Sequence, residues 1–228
     1  MSGNKWIDKL AESIQKVADE KIEELVMQDI RDIEPQDIHE TVSLINEILD
    51  RMNQHLSPDQ IADVLYGCSC RYPYEKLLRV REAYALNQSI DDSITVLQEQ
   101  SENSLREGML FPSEIVDRIL QMNWGVAGRR EGNRIFVTKI PRSGNLRKYM
   151  TEQDPVKKRE LYCHCSILDK AVEENLSIPV SYCLCGAGFY RYIWETILEK
   201  TVQVEVLETV CSGGNKCSFS IILPDSVV

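Results

Sequence analysis

The sequence predicts an α+β protein in which a helical N-terminal region packs on a C-terminal antiparallel sheet covered by helices. In the first half of the chain, apolar residues recur at spacings of three and four, the period of an amphipathic helix. Near the end, TVQVEVLETVC at 201–211 shows the period of two that is typical of strands. The change of period near residue 122 predicts a helical region, residues 1–122, and an α/β region, residues 123–228.

Composition and length indicate an ordinary globular protein. The 228 residues are 43% hydrophobic and 27% charged, as in soluble domains. The N-terminal stretch MSGNKWIDKLAESIQKVADEK carries charges every few residues, so we do not expect a signal peptide. No apolar run approaches the roughly 18 residues that span a bilayer, and we expect a cytoplasmic protein without a membrane partner. Thiols stay reduced there, so the eight cysteines favour metal binding, catalysis or burial over disulfides.

The net charge of −10 argues against a nucleic-acid partner. Residues 128–160 are an exception, because they hold 10 Lys/Arg against 4 Asp/Glu. This basic segment could attract an anionic ligand. The alternative, which the sequence favours, is a solvated hairpin and loop.

The helical half begins with an apolar face and continues after Pro35. The residues of these two faces are Ile7, Leu10, Ile14 and Val17, then Ile38, Val42, Ile45, Leu49 and Met52. Ser57-Pro58-Asp59-Gln60 has the form of a capping box that opens a further helix. Five or six helices with short connections are expected, and PSEIVDRILQM ends the series near residue 122.

The C-terminal half mixes hairpins with helices. WGVAGRREGNRIFVTKI predicts a hairpin that turns at a Gly-Asn pair, and residues 141–160 predict a loop with a short helix. CHCSILDKAVEENL includes a helix, and a strong helix runs from Cys185 through CGAGFYRYIWETILEK. If the last loop runs from 212 to 216, Cys211 and Cys217 lie opposite each other, with Cα atoms about 4.5–5.5 Å apart.

Three Cys-x-Cys pairs stand out, at 68–70, 163–165 and 183–185. In an extended segment, residues i and i+2 point the same way, so each pair could grip one metal ion. The last two pairs could then supply a zinc site of four thiolates, formed by Cys163, Cys165, Cys183 and Cys185. The alternatives are that the thiols are buried small apolar groups, or that they are redox-active or nucleophilic. The sequence leaves open whether Cys68 and Cys70 join the other pairs.

Cys185 is the best candidate for a reactive thiol or a metal ligand. It lies where the Gly-Ala-Gly helix begins, and a helix N-terminus stabilises a thiolate. His164 is expected to point away from Cys163 and Cys165 and to be a structural residue. The same holds for His39 and His55, which lie in the helical half without partners.

Glu208 suggests a second cluster. It continues the face of Val202, Val204 and Val206, and a carboxylate that points inward needs a partner or a metal. Cys211 and Cys217 follow it, and Cys185 could be the fourth ligand. Because residues 208 and 211 face opposite ways in a regular strand, this cluster needs a bulge or a turn near residue 209. A solvated carboxylate at the end of the strand is the alternative.

The stretch CGAGFYRYIWETILEKTVQVEVLETVCSGGNKCSFSIILP resembles the C-terminal half of the 4-vinyl reductase-type domain, a small-molecule-binding α/β module. The shared pattern is a Gly- and aromatic-rich helix, a strand that ends in Glu-x-x-Cys, a Gly-containing turn and a second Cys before Phe. The resemblance implies zinc ligands at Cys185, Glu208, Cys211 and Cys217. The turn SGGNK is shorter than in the sensor members, and the usual Gly before the strand is absent. The whole chain resembles uncharacterised bacterial cysteine-rich proteins and, more faintly, L-2-aminothiazoline-4-carboxylate hydrolase-like proteins.

Together these features predict a cytoplasmic, metal- and small-molecule-binding protein. Zinc would tie together the loop 163–185 or the final hairpin. A pocket beside the helix 186–200 would take an anionic or aromatic ligand, with basic side chains from 129–159 as its polar anchor. A homodimer is left open. The alternative is a hydrolase that acts on a small heterocyclic or sulfur-containing acid, with Cys185 or a zinc-bound water as the nucleophile.

Overall fold

The structure is a computed structural model that describes residues 3–31 and 33–227, with side chains from residue 6 onward. The described chain contains eleven α-helices and one four-stranded antiparallel sheet. The predicted α+β class is therefore confirmed. None of the described helices is long and apolar enough to cross a membrane.

Seven α-helices precede the first strand in the described residues, whereas the sequence predicted five or six. They are α1 (Gly3–Val17), α2 (Glu20–Met27), α3 (Ile38–His55), α4 (Pro58–Gly67), α5 (Tyr74–Asn87), α6 (Ile90–Asn103) and α7 (Ser113–Gln121). A π-helical turn, Ser104–Gly108, extends α6. The series ends one residue before the predicted limit at residue 122.

Side-chain caps begin four of these helices, and Ser89 caps α6. The carboxylates of Asp19 and Asp37 accept hydrogen bonds from backbone N–H groups in the first turns of α2 and α3. At α4, the Ser57 hydroxyl and the Gln60 side chain form the reciprocal bonds of a capping box, as the sequence predicts. Each cap satisfies N–H groups that have no partner inside the helix.

The sheet is built from two hairpins. Its strands are β1 (Arg129–Glu131), β2 (Arg134–Thr138), β3 (Gln203–Glu208) and β4 (Ser218–Ile222), and their order is β1-β2-β4-β3. The first hairpin turns at Gly132 and Asn133, the predicted Gly-Asn pair, where Gly132 has a φ of 60°. That left-handed conformation suits glycine because it has no Cβ.

Four further helices lie between the hairpins. They are α8 (Leu146–Thr151), α9 (Pro155–Tyr162), α10 (Ser166–Glu173) and α11 (Leu184–Leu198). A 3₁₀ turn, Val180–Cys183, leads directly into α11. The two cysteine pairs of the C-terminal half therefore lie at junctions: one between α9 and α10, the other between the 3₁₀ turn and α11.

Packing divides the chain into two compact units. The first unit contains Met1–Cys70 and Cys163–Gly188, and the second contains Arg71–Tyr162 and Phe189–Val228. The boundary predicted at residue 122 separates the helical from the strand-bearing part of the sequence, which is a different division. The first unit buries apolar side chains of α1 and α3, and the second buries those of α11 against the inner face of the sheet.

Candidate thiol sites

The eight cysteines are unequally divided between the two units. The first unit holds all three Cys-x-Cys pairs, formed by Cys68, Cys70, Cys163, Cys165, Cys183 and Cys185. The second unit holds Cys211 and Cys217, together with Glu208. The predicted four-cysteine set thus belongs to a single unit, whereas the set that joins Cys185 to Glu208 has members in both.

The first pair directly follows α4, and Cys68 is the C-cap residue of that helix. Cys68 is 1% exposed, and its thiol donates to the Val64 carbonyl oxygen at 3.3 Å. Cys70 is exposed. Cys68 therefore has the properties of a buried structural thiol, and Cys70 those of a free surface thiol.

The second pair lies in the extended junction between α9 and α10. Exposure alternates along it, since Cys163 is buried, His164 is exposed and Cys165 is half-buried. This alternation matches the prediction that His164 points away from the two cysteines. Cys165 occupies the N-cap position of α10 in an extended conformation.

The third pair lies where the 3₁₀ turn becomes α11. Cys183 is the last residue of the turn, and Cys185 is the second residue of the helix. Cys185 is therefore in the first helical turn, as predicted. The next turn contains Gly188, where an added Cβ would lie 2.3 Å from the carbonyl oxygen of Tyr66 in α4. Glycine thus allows the start of α11 to pack directly on the backbone of α4.

Tyr182 brings the second and third pairs together. Its side chain is 2% exposed, and its hydroxyl lies 3.5 Å from the sulfur of Cys165. Burial raises the pKa of Tyr182 strongly, and electrostatic interaction with the thiols of Cys165, Cys185 and Cys183 raises it further. A single buried hydroxyl is therefore within electrostatic range of three thiols.

Trp6, in α1, forms another wall of this cluster. Its ring packs on Tyr182 with a centroid distance of 5.2 Å. Its indole N–H is buried and has no hydrogen-bond acceptor among the residues described. A buried donor without a partner is costly, so this N–H would gain from an acceptor nearby.

The side chains of the cluster do not form a ready metal site. Within the described part of the chain, no group of three or more His, Cys, Asp or Glu residues is arranged to hold a metal ion. The Tyr182 hydroxyl thus interacts with the thiols of Cys165, Cys183 and Cys185. The three sulfurs do not surround a point at which a metal ion could bind.

The final hairpin differs from the prediction at its turn. Glu208 pairs with Ser218 in the sheet, so the connection runs from 209 to 217 and has nine residues. The predicted loop 212–216, with Cys211 directly opposite Cys217, is wrong. Hydrogen bonds between Thr209 and Ser212 start the turn early and place Cys211 within it. The strand register also shifts between Val206 and Glu208, close to the bulge that the sequence required.

Glu208 closes this loop. Its side chain is half-buried, and its carboxylate accepts a hydrogen bond of 2.8 Å from the backbone N–H of Asn215. An added Cβ at Gly214 would lie 2.4 Å from the Glu208 side chain, so glycine is needed for this close approach. The carboxylate therefore has a partner in the loop, which neither of the two sequence interpretations contained.

Cys217 is the buried thiol of the second unit, with 8% exposure. Burial raises its pKa, and nearby Glu208 and Cys211 also raise it. A hydrogen bond from the Val210 backbone and the positive charge of Lys139 act in the opposite direction but do not outweigh burial. Cys217 is therefore a protonated thiol at neutral pH and a poor nucleophile.

The tyrosines that precede the two C-terminal pairs have buried hydroxyls whose roles the sequence analysis did not assign. Tyr182 serves the thiol cluster of the first unit. Tyr162 belongs to the second unit, is 1% exposed, and donates a hydrogen bond of 2.5 Å to the Lys139 carbonyl oxygen. Their shared position before each Cys-x-Cys pair was the available signal, but it could not separate the two roles.

Two clefts of the second unit lie away from the expected ligand pocket. One, of about 570 Å³, is formed by α5, α6 and the π-helical turn. The other, of about 510 Å³, lies on the outer face of the sheet and includes Arg129. Neither cleft is lined by a residue of α11, the helix beside which the sequence placed a pocket.

The ligand set implied by the 4-vinyl reductase resemblance thus has one member, Cys185, in the first unit and three in the second. Of those three, Glu208 is held by Asn215 and Cys217 is buried as a thiol. The resemblance remains a prediction from the residues that carry it, because no family model, curated protein or solved structure matches the chain.

Proposed function

We propose that the first unit binds a thiophilic metal ion, with zinc as the candidate, through Cys165, Cys183 and Cys185, and that Cys163 is the fourth ligand. The observation that carries the proposal is the buried Tyr182 hydroxyl, which lies 3.5 Å from the sulfur of Cys165 and interacts electrostatically with the thiols of Cys183 and Cys185. Zinc prefers four ligands in structural sites, and cysteine thiolates are among its best.

Exposure distinguishes these thiols from simply buried ones. Cys68 and Cys217 are almost completely buried, as expected of small apolar groups. Cys165, Cys183 and Cys185 are half-buried, so an ion could reach them from solvent. Cys163 is buried at 6% exposure, so exposure does not support it, and it is included because it completes the Cys-x-Cys pair with Cys165. Rotation is required, because the thiols do not yet converge on one point. The proposal is therefore a site that closes when the ion binds.

Tyr182 supplies the second requirement, a donor to thiolate sulfur. A neutral thiol is a weak acceptor, so the hydroxyl is poorly satisfied at 3.5 Å from Cys165. A thiolate is a much stronger acceptor, and such donors around the ligands tune metal sites. The raised pKa keeps Tyr182 protonated and able to donate. The first turn of α11 adds a favourable field at Cys185.

The role of such an ion would be structural. Its ligands lie in the junction before α10, in the 3₁₀ turn and in the start of α11, so binding would cross-link segments that are far apart in sequence. A structural metal contributes its binding energy to folding. The hydrolase alternative gains no support from the same cluster, since a hydroxyl with a raised pKa cannot act as a general base for Cys185.

Metal analysis tests the proposal. Protein purified under reducing conditions should carry about one zinc per chain, and the cobalt-substituted form should show a thiolate-to-metal charge-transfer band. Cys165→Ser, Cys183→Ser and Cys185→Ser should each bind zinc at least about tenfold more weakly, and Tyr182→Phe about 10–100-fold more weakly. Circular dichroism would check that each variant is folded.

Cys70→Ser and Cys211→Ser are the matched controls, since one removes an exposed thiol of the same unit and the other a thiol of the second unit. Both should retain zinc. The proposal fails if purified protein neither carries nor takes up zinc. It also fails if Cys211→Ser loses the ion while Cys165→Ser and Cys183→Ser keep it.

A further inference from the structure

The cleft between α5 and α6 is a candidate binding site that is independent of the cysteines. It has a volume of about 570 Å³, within the range of small-ligand sites. All of its lining residues except Gly108 are polar or charged, and they are Glu75, Lys76, Arg79, Gln100, Asn103, Ser104, Glu107 and Gly108. A cleft of this composition suits a polar, charged ligand.

Three of the charges that line the cleft have no partner. Glu75, Arg79 and Glu107 are exposed, and none forms an ion pair with any residue in the described ranges. Glu75 and Arg79 are four residues apart on α5, a spacing and order that favour pairing along a helix. Arg106, next to Glu107, is by contrast paired with both Glu102 and Asp117. The cleft thus carries unpaired charges of both signs, Glu75 and Glu107 beside Arg79.

Hydrogen bonds hold the floor of the cleft in place. The Lys76 ammonium donates to the Ser104 hydroxyl at 2.9 Å, and the Gln100 amide nitrogen donates to the Lys76 carbonyl oxygen at 3.1 Å. The amide oxygen of Gln100 is buried and accepts no hydrogen bond from the described residues. A buried acceptor without a donor is unfavourable, and a ligand N–H or O–H would satisfy it once the Gln100 side chain turns this oxygen toward the cleft.

The backbone beside the cleft is irregular. The π-helical turn Ser104–Gly108 closes with a bond from the Met109 N–H to the Ser104 carbonyl oxygen at 2.9 Å. Leu110 follows with a φ of 53°, a left-handed conformation that is strained for leucine. Both π-turns and strained residues occur often at functional sites. The wider turn brings Ser104, Glu107 and Gly108 to one wall of the cleft.

We propose that this cleft binds a small zwitterion, a molecule with one carboxylate and one ammonium group, such as a free amino acid. The two acidic and two basic side chains balance, so a ligand with charges of both signs is complementary, whereas a dianion or a dication would meet repulsion. Arg79 and Lys76 would hold the carboxylate. Glu75 and Glu107 would hold the ammonium group, whose third N–H could reach the Gln100 amide oxygen.

Titration of the full chain with L-alanine, L-glutamine and L-leucine, followed by amide chemical shifts, tests this inference. At least one of them should bind at micromolar to millimolar concentration and shift amides of residues 75–79 and 100–108. The N-acetyl and the C-terminal amide forms of that amino acid lack one charge each, so both should bind at least tenfold more weakly. Arg79→Gln, Glu107→Gln and Gln100→Leu should each weaken binding at least tenfold.

Glu99→Gln is the matched control, because Glu99 is exposed on α6 and does not line the cleft. It should bind as the unmodified protein does, and thermal unfolding would confirm that the cleft variants are folded. The inference is overturned if none of the three amino acids shifts these amides. It is also overturned if both derivatives bind as tightly as the parent, or if acetate alone does, since the site would then not recognise a zwitterion.

Discussion

The carboxylate of Glu208 accepts a hydrogen bond of 2.8 Å from the backbone N–H of Asn215, across the loop that joins the last two strands. Glu208→Ala should therefore loosen this loop and lower the free energy of unfolding by about 1–2 kcal/mol. Glu208→Gln keeps a side-chain oxygen acceptor and should cost less than half as much. Urea unfolding measures both, and equal losses would show that the hydrogen bond is not the cause.

Gly188→Ala should destabilise the protein, although alanine normally stabilises a helix interior by about 1 kcal/mol relative to glycine. The added Cβ would lie 2.3 Å from the backbone oxygen of Tyr66, and overpacking of this kind costs about 1–3 kcal/mol. Gly144→Ala is the control, because nothing lies within 4 Å of its Cβ position. Thermal or urea unfolding compares the two, and a stabilising Gly188→Ala would contradict the packing of α11 on α4.

Arg31→Met should destabilise the protein, because it leaves a buried carboxylate without its ion-pair partner. Glu23 is 2% exposed and forms an ion pair with Arg31. Removing the guanidinium leaves the carboxylate desolvated without its partner, and we expect a loss of about 1–3 kcal/mol. Glu23→Gln removes the charge itself and should cost less. The control is Arg129→Met, because the Arg129–Glu131 pair is exposed and should contribute less than about 1 kcal/mol.

Stability should fall steeply at alkaline pH. Burial raises the pKa of Tyr162, Tyr182 and Tyr190 far above the value of an exposed tyrosine, about 10. Below pH 10 both the folded and the unfolded state hold these protons. As the pH rises above 10, only the unfolded state ionises, so each group removes up to about 1.4 kcal/mol of stability per pH unit.

Urea midpoints between pH 8 and 11, measured with tyrosinate absorbance, would show this loss. The protein has nine tyrosines, and these three should ionise only as the chain unfolds. Tyr190→Phe should make the alkaline decline less steep. A complete tyrosine titration of the native protein, without unfolding, would contradict the burial of these hydroxyls.

Local patterns in the sequence predicted much of the fold. The capping box at Ser57, the turn at Gly132 and the inward face of Val202, Val204 and Val206 all depend on residues within a few positions of each other. Such features follow from backbone geometry and side-chain period, which a sequence displays directly. The same local reasoning placed Cys185 in the first turn of its helix, and the structure agrees.

The loop of the final hairpin could not be predicted from local sequence patterns. The alternation along β3 was correct, yet the loop proved to be nine residues long because Thr209 and Ser212 bond to each other and Glu208 reaches Asn215. The same residues allow several kinds of turn, and these hydrogen bonds select one of them. The position of Cys211 relative to Cys217 depends on the turn that is selected.

The sequence by itself determined the α+β class, the positions of most helices and strands, and the presence of three Cys-x-Cys pairs. Only the tertiary structure decided that these pairs belong to one unit and that Tyr182 lies among their thiols. The physical reason is that α4 and α11 pack together where Gly188 permits a close approach to Tyr66, and that the Tyr182 hydroxyl reaches Cys165. Contacts between such distant positions depend on how the whole core packs, and the spacing of apolar residues along the chain does not show this.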